Sequence, residues 1–111
     1  MPMQVHKVTE KFTISGQISA SDVPLIKASG FKTIMCNRPD GEEFGQPTAA
    51  IIKKAAEDHE MKFFYLPLGR SAITNELLEG FRDVVNGDHG SVFAYCRSGS
   101  RCGMLWNASQ N

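Results

Sequence analysis

The stretch Ser91-Val-Phe-Ala-Tyr-Cys-Arg-Ser-Gly-Ser-Arg101 decides the fold, because an apolar strand pattern runs directly into a short polar turn. The strand ends at Cys96, and Gly99 permits the tight backbone reversal that follows without a side-chain clash. Backbone N–H groups from Arg97 onward can then point inward around one anion. A helix that begins at Arg101 adds free N–H groups and a favourable dipole. The stretch therefore predicts an anion-binding loop at the end of a strand.

The residue types in this loop predict a nucleophile and its anion-binding groups. A cysteine beside arginine and a helix N-terminus ionises readily, and the thiolate form of Cys96 is the nucleophile. Arg101 can hold two oxygens of a tetrahedral oxyanion, and Arg97 is expected to point outward and recruit substrate. Ser98 and Ser100 offer hydroxyl donors, with Ser100 placed to steady the thiolate. A cysteine at a strand end is often only a packing residue. Two arginines in the loop that follows it, however, have no packing purpose.

Outside this stretch, short apolar runs alternate with segments of helical period. Strands are predicted at Phe12–Ile14, Phe31–Cys36, Met61–Leu66 and Ser91–Tyr95. Helices are predicted at 23–30, from Pro47 with a stripe of Ala50, Ile51 and Ala55, from Thr74 to Asn86, and from Arg101. The alternation predicts a single α/β domain over residues 1–111, with a mostly parallel central sheet flanked by helices.

Composition restricts the classes of partner. Lysine plus arginine and aspartate plus glutamate number 12 each, so no global field attracts nucleic acid or an acidic membrane surface. No stretch approaches the ~20 apolar residues that cross a bilayer, and the first residues lack a signal-peptide core, which predicts a cytoplasmic protein. Three cysteines without metal-type spacing predict free thiols, no metal site and no cofactor.

Two further polar loops, 37–46 and 67–73, are expected at the same sheet edge as the cysteine loop, because parallel strands end together. Arg38 and Arg70 on these loops are interpreted either as a positive rim around the anion or as ordinary surface residues. Asp40, with Glu42 and Glu43 beside it, is either a surrogate general acid or part of a solvated turn.

Cys36 ends a predicted core strand at this edge. It is interpreted as a core residue or as a redox partner of Cys96, through a disulfide or a persulfide relay.

The segments Cys96–Cys102, Thr33–Asp40 and Ile14–Gln17 resemble the phosphatase-like domain of beta-lactamase-hydrolase-like proteins, and the resemblance extends from Phe12 to Trp106. It implies a fold similar to the dual-specificity phosphatases, with Cys96 as nucleophile and the arginine at position 101 binding the oxyanion. Domains of this family occur alone or fused to a persulfide dioxygenase-like hydrolase, which implies a sulfurtransferase role.

Three features depart from a protein phosphatase. Four residues separate Cys96 from Arg101 where phosphatases have five, and a six-residue loop resembles that of the rhodanese sulfurtransferases. Tyr95 stands where phosphatases carry histidine. The segment Leu66–Ser71, where phosphatases place a general-acid aspartate, has no carboxylate.

These departures favour a sulfurtransferase that forms a persulfide on Cys96 from thiosulfate or another persulfide. The alternative is a phosphatase-type hydrolase of phosphate esters that forms a thiophosphate on the same sulfur. The third interpretation is a non-catalytic anion-binding module.

The chain ends ten residues after Arg101, whereas the family's domain continues with more helix. The sequence therefore predicts a domain shortened at its C-terminus. The expected partners are a second copy of the chain, or a persulfide dioxygenase fused to or associated with the domain.

Overall fold

The computed structural model describes residues 5–110 of the chain. These residues contain five strands and four helices. The strands are β1 (Val5–Thr9), β2 (Phe12–Ser15), β3 (Thr33–Cys36), β4 (Lys62–Tyr65) and β5 (Val92–Tyr95). The helices are α1 (Val23–Ala28), α2 (Ala49–Asp58), α3 (Asn75–Asn86) and α4 (Ser100–Ser109), with one 3-10 turn at Ala20–Asp22.

The strands form one sheet in the order β1-β2-β5-β3-β4. Only β1 is antiparallel to its neighbour, and the other three pairings are parallel. Tyr95 at the end of the central strand β5 is in register with Ser15 of β2 and Cys36 of β3. The loops that follow these three strands therefore leave the sheet side by side, which brings distant parts of the sequence together.

Both faces of the sheet are covered by helices, which explains why β2, β3 and β5 are buried at every position. Successive strand residues point to opposite faces. In β5, Phe93 and Tyr95 belong to the cluster formed with α1 and α2, whereas Ala94 joins the cluster formed with α3 and α4. The predicted α/β domain with a mostly parallel sheet is confirmed.

Two local predictions were wrong or incomplete. The predicted stripe of α2 was Ala50, Ile51 and Ala55, but the buried residues are Ala49, Ile52 and Ala56, and Ile51 is exposed. Because Ile51 and Ile52 are consecutive, the sequence does not show which of them is buried, and contact with the sheet decides it. Strand β1 was not predicted, because an exposed edge strand carries little apolar signal.

The predicted helix that starts at Thr74 is confirmed as α3. The Thr74 hydroxyl caps it by accepting a hydrogen bond from the Leu77 N–H at 3.1 Å.

Within residues 5–110, no helix has the length and apolar character required to span a membrane.

Candidate active site

The loop Cys96–Arg101, called here the cradle loop, connects β5 to α4 and turns at Gly99. Gly99 has φ +95°, in the left-handed region that favours glycine. A Cβ built there would lie 2.9 Å from Cγ2 of Ile14, so the neighbouring strand also excludes a side chain. Helix α4 begins at Ser100, one residue earlier than predicted. The predicted glycine turn is therefore required by both backbone conformation and packing.

The end of β2 holds the cradle loop from its other side. The Cys96 N–H donates to the Ser15 carbonyl at 3.2 Å, and the Gln17 N–H donates to the Arg97 carbonyl at 3.2 Å. Between them, Gly16 lets the two backbones approach, since a Cβ there would lie 3.1 Å from the Arg97 oxygen. The sequence Ile14–Gln17, on which the resemblance partly rests, thus supports the loop directly.

The Cys96 thiol lies at the base of the cradle loop and is set up to ionise. A hydrogen bond from the Cys102 thiol does most to lower its pKa, against the opposing effect of burial. Backbone N–H groups of Cys102, Arg101 and Gly99 lower it further, to a pKa of about 5. The Gly99 N–H lies 3.0 Å from the sulfur. Cys96 is therefore largely thiolate at neutral pH, as a nucleophile requires.

Cys102, rather than the predicted Ser100, is the side chain that steadies the thiolate. The Ser98 hydroxyl donates to the Ser100 hydroxyl at 3.0 Å and accepts from the Ser100 N–H, so the two serines support the loop's own turn. The hydrogen bond to Cys96 and burial both raise the pKa of Cys102, which keeps it a protonated donor. The sequence pattern had given Cys102 no role.

Arg101 is fixed by a carboxylate from the loop 37–46, called here the acidic loop. Its Nη1 donates to Glu42 Oε2 at 2.7 Å and to the Leu68 carbonyl at 2.9 Å. Its Nη2 donates to Glu42 Oε1 at 2.8 Å. The Nε–H and the second Nη2–H share the other edge of the guanidinium, and no residue of 5–110 accepts from them. That edge can bind two oxygens of an anion while Glu42 holds the opposite end.

Arg38 lies beneath this contact and not on a positive rim. Its side chain is 2% exposed, and it donates to Glu42 at 2.9 Å, to Glu43 at 3.0 Å and to the Gln17 side chain at 2.9 Å. Burial alone would lower the pKa of Arg38, but the two carboxylates outweigh it and raise the pKa. The rim interpretation of Arg38 is therefore replaced by a buried support for Glu42.

A polar cavity of about 400 Å³ opens above the cradle loop. Its walls among the described residues are Glu42, Gly69, Arg70, Arg97 and Arg101. Arg70, which was interpreted as a rim or a surface residue, and Arg97, which was expected to point outward, both line this cavity. Hydrogen bonds from Arg101 and, against the effect of burial, from Arg38 lower the pKa of Glu42 to about 2. The carboxylate in this cavity is therefore ionised and has no proton to give.

Asp40 and Cys36 lie close by but face other groups. The Asp40 carboxylate accepts from the Ala49 N–H at 2.8 Å at the start of α2, and the Asp40 N–H donates to the Tyr65 hydroxyl at 3.0 Å. The Cys36 thiol donates to the Arg38 carbonyl at 3.2 Å, and burial raises its pKa. The structure places neither as a wall of the cavity, and it gives Cys96 a different thiol neighbour, Cys102.

Within residues 5–110, His, Cys, Asp and Glu side chains form no group of three or more suited to a metal ion. The cysteines at 36, 96 and 102 are all free and buried.

Glu42, Gln17 and Cys102 are the site residues that sequence reasoning missed or left without a role. Glu42 reaches an arginine 59 positions away, and Gln17 reaches one 21 positions away. The sequence signals were weak: an acidic residue on a loop at the correct sheet edge, and a thiol directly after Arg101.

Comparison with known proteins is consistent with this geometry. The family model described as "Beta-lactamase hydrolase-like protein, phosphatase-like domain" matches residues 4–111. The beta-lactamase hydrolase-like protein of Agrobacterium fabrum is 36% identical over 104 residues, which cover 94% of this chain and 24% of that protein. That of Xylella fastidiosa is 30% identical over 108 residues, covering 97% and 25%. The chain thus spans about a quarter of the length of these relatives.

Solved structures show the same fold. A candidate phosphatase from Neisseria meningitidis superimposes with a TM-score of 0.84 at 38% identity, covering 94% of this chain and 74% of that one. The core catalytic domain of the S. cerevisiae PP-IP phosphatase superimposes with a TM-score of 0.70 at 20% identity, covering 95% and 64%. The family model and the Neisseria structure favour the phosphatase-like alternative, and they give no support to the sulfurtransferase prediction. Sequence, fold and a cysteine–arginine loop at the end of β5 agree that this chain belongs to the family of phosphatase-like domains of beta-lactamase hydrolase-like proteins.

Proposed function

We propose that this domain is a phosphatase-type hydrolase in which Cys96 forms a covalent thiophosphate and Arg101 binds the phosphoryl oxygens. The observation that carries the proposal is the orientation of Arg101. Glu42 and the Leu68 carbonyl occupy one end of its guanidinium, while the Nε–H and Nη2–H edge remains available to an anion. Bidentate contacts of this kind are strong and geometrically selective.

The loop supplies the other requirements of the reaction. The Cys96 thiolate attacks phosphorus, the bond to the leaving oxygen breaks, and its electron pair remains on that oxygen. Backbone N–H groups and Arg101 bind the equatorial oxygens, where negative charge must be held. Water then attacks the thiophosphate, the S–P bond breaks, and Cys96 leaves as a thiolate. A pKa of about 5 makes Cys96 a stable leaving group at neutral pH.

The leaving group receives no proton from the cavity walls, because the carboxylate there is ionised. General-acid assistance is commonly a factor of about 10²–10⁴ in rate. Phosphate esters of acidic alcohols, such as para-nitrophenyl phosphate, are therefore the substrates expected to react, and simple alkyl phosphates are expected to be nearly inert.

The test compares wild-type protein with Cys96→Ser on para-nitrophenyl phosphate, and uses rapid quenching with mass spectrometry to detect a phosphoryl group on Cys96. Cys96→Ser should lose all turnover. Cys36→Ser is the matched control, because serine retains the hydrogen bond to the Arg38 carbonyl and should keep activity near wild type.

Sulfur transfer remains the second candidate, because the six-residue loop resembles that of the rhodaneses. Thiosulfate with cyanide as acceptor is assayed in parallel. Thiocyanate production with a sulfur adduct on Cys96, in the absence of phosphate release, would replace the hydrolase proposal with the sulfurtransferase.

A further inference from the structure

The cavity above the cradle loop carries more positive charge than a single phosphate monoester needs. Arg101 is paired with Glu42, whereas Arg70 and Arg97 stand at the mouth. Arg70 has no ion pair within residues 5–110. Arg97 is 69% exposed, and its Nε lies 3.9 Å from Glu43, beyond hydrogen-bond distance. The Glu43 carboxylate instead accepts a hydrogen bond from Arg38, at 3.0 Å. Two arginine charges therefore face the entrance.

Among the described residues, the cavity walls offer a substrate no apolar side chain. Among the described residues lining the cavity, Gly69 is the one uncharged member, and no aromatic or aliphatic side chain lines it. Phe44, on the acidic loop, is fully exposed and is not part of the walls. A flat apolar leaving group would find charged guanidiniums but no apolar surface, so the substrate's outer part is expected to be anionic.

The third observation concerns the leaving group. The ionised Glu42 cannot protonate a departing alkoxide, and no other carboxylate among the described residues lines the cavity. A departing phosphate needs no such proton, because its own second ionisation lies near pH 6. Charge at the mouth and absence of a proton donor thus select for the same group: a second phosphate next to the one transferred.

Resting on the hydrolase function proposed above, we propose that the substrate is a phosphoanhydride, whose terminal phosphate enters the cradle loop while Arg70 and Arg97 bind the adjoining phosphate. The Cys96 thiolate attacks the terminal phosphorus and forms the S–P bond. The bond from that phosphorus to the bridging oxygen breaks, and its electron pair leaves on the second phosphate. Water then attacks the thiophosphate, releasing orthophosphate, a proton and the Cys96 thiolate.

The arginines at 70 and 97 are specificity residues in this scheme. They touch the leaving phosphate and not the transferred one, so they act on substrates that carry it. An arginine–phosphate contact is a charge-assisted hydrogen bond, and its loss is expected to raise KM about tenfold. Substrates with a single phosphate should be affected less by the same substitutions, because they lack the adjoining phosphate.

The experiment compares three probes on the intact chain: an alkyl diphosphate, the alkyl monophosphate of the same alcohol, and para-nitrophenyl phosphate. Phosphate release is followed for wild type, Arg70→Gln, Arg97→Gln and Lys53→Gln. Lys53 is an exposed lysine on α2, so its substitution changes net charge equally and controls for long-range electrostatics. The diphosphate is expected to give kcat/KM at least tenfold above the aryl phosphate, with the alkyl monophosphate inert.

Each arginine substitution should raise KM for the diphosphate about tenfold and raise KM for the aryl phosphate by a clearly smaller factor, while Lys53→Gln changes neither. A second readout is inhibition of aryl phosphate hydrolysis by methylenebisphosphonate, which cannot be cleaved. Its Ki should lie at least tenfold below that of orthophosphate in wild type, and the difference should vanish in both arginine variants.

Different results would overturn the hydrolase proposal and the phosphoanhydride inference. Aryl phosphate hydrolysis with an inert diphosphate and equal inhibition by both anions overturns the phosphoanhydride inference and leaves the hydrolase intact. Faster turnover of an acidic phosphotyrosine peptide than of the diphosphate, dependent on the same arginines, also overturns it, in favour of a protein substrate. Absence of all phosphate release overturns the hydrolase and the inference together.

Discussion

The cradle loop and the acidic loop leave adjacent parallel strands at the same sheet edge, yet they acquire their structure in opposite ways. The cradle loop is shaped by its own sequence: a strand that ends at Tyr95, directly before Cys96, a glycine at φ +95°, and a helix that begins one residue after that glycine. The acidic loop is held by distant side chains, since Glu42 binds Arg101 and Arg38, and Asp40 binds the start of α2. One loop forms the nucleophile's site, and the other fixes the arginine that completes it.

The strongest test of the locally shaped loop is Gly99→Ala. The alanine must adopt a left-handed backbone, and its Cβ would lie 2.9 Å from Ile14. A shift of about 1 Å in a catalytic loop can cost about 100-fold in rate, and we expect at least that loss in kcat/KM on para-nitrophenyl phosphate. Gly45→Ala is the matched control: it has φ +81°, but no atom lies within 4 Å of its Cβ.

Gly45→Ala should therefore show only backbone strain, about 1–3 kcal/mol in the free energy of unfolding, with activity near wild type. Circular dichroism and urea unfolding separate the two cases. Equal loss of activity in both variants would mean that the close packing against Ile14 does not set the geometry of the loop.

Glu42→Gln tests the loop that is shaped by tertiary contacts, and we expect an intermediate effect. Glutamine carries no charge and has an amide NH2 in place of one acceptor oxygen, so Arg101 loses one of its two hydrogen bonds and both Arg101 and the buried Arg38 lose their ion pair with residue 42. We expect about tenfold lower kcat/KM, and a loss of about 1–3 kcal/mol in the free energy of unfolding at neutral pH. Glu43→Gln, which does not contact Arg101, should leave activity within about threefold, since rim charges contribute little.

We expect the effect of Glu42→Gln on the free energy of unfolding to depend on pH. The folded-state pKa of Glu42 is about 2, below its ordinary value of 4.5, so its contribution to stability is complete above about pH 4.5 and is lost as pH falls toward 2. Wild type and Glu42→Gln should therefore differ most at neutral pH and converge near pH 2. A difference in stability that stays constant over this range would show that the carboxylate's charge is not what matters.

The smallest effect is expected from Cys102→Ala, which removes the thiol that donates to Cys96. The pKa of Cys96, about 5 in the wild type, should rise, but it should stay below its ordinary value of 9.0 because the backbone donors remain. Ultraviolet absorbance of the thiolate as a function of pH measures this directly. Cys102→Ser keeps a donor and should titrate near wild type, so an equal rise in both variants would assign the effect to packing.

Whether a site residue could be predicted depends on how far apart in the sequence its contacts lie. Cys96, Gly99 and Arg101 were predicted because strand period, turn chemistry and helix start all lie within ten residues. Arg38 was misinterpreted, since a charged residue after a strand is normally exposed, and only its contacts with Glu42, Glu43 and Gln17 explain its burial.

The sequence by itself determined the cradle loop, the thiol that directly follows β5 and the α/β class, because backbone preferences and apolar periodicity act over short distances. Only the tertiary structure decided that β3 lies beside β5 with Cys36 in register with Tyr95. That pairing places Glu42 against Arg101 across 59 positions, and it leaves Arg70 and Arg97 facing one cavity. Side-chain partners of this kind depend on which strands are neighbours, and that order is set by the packing of the whole domain.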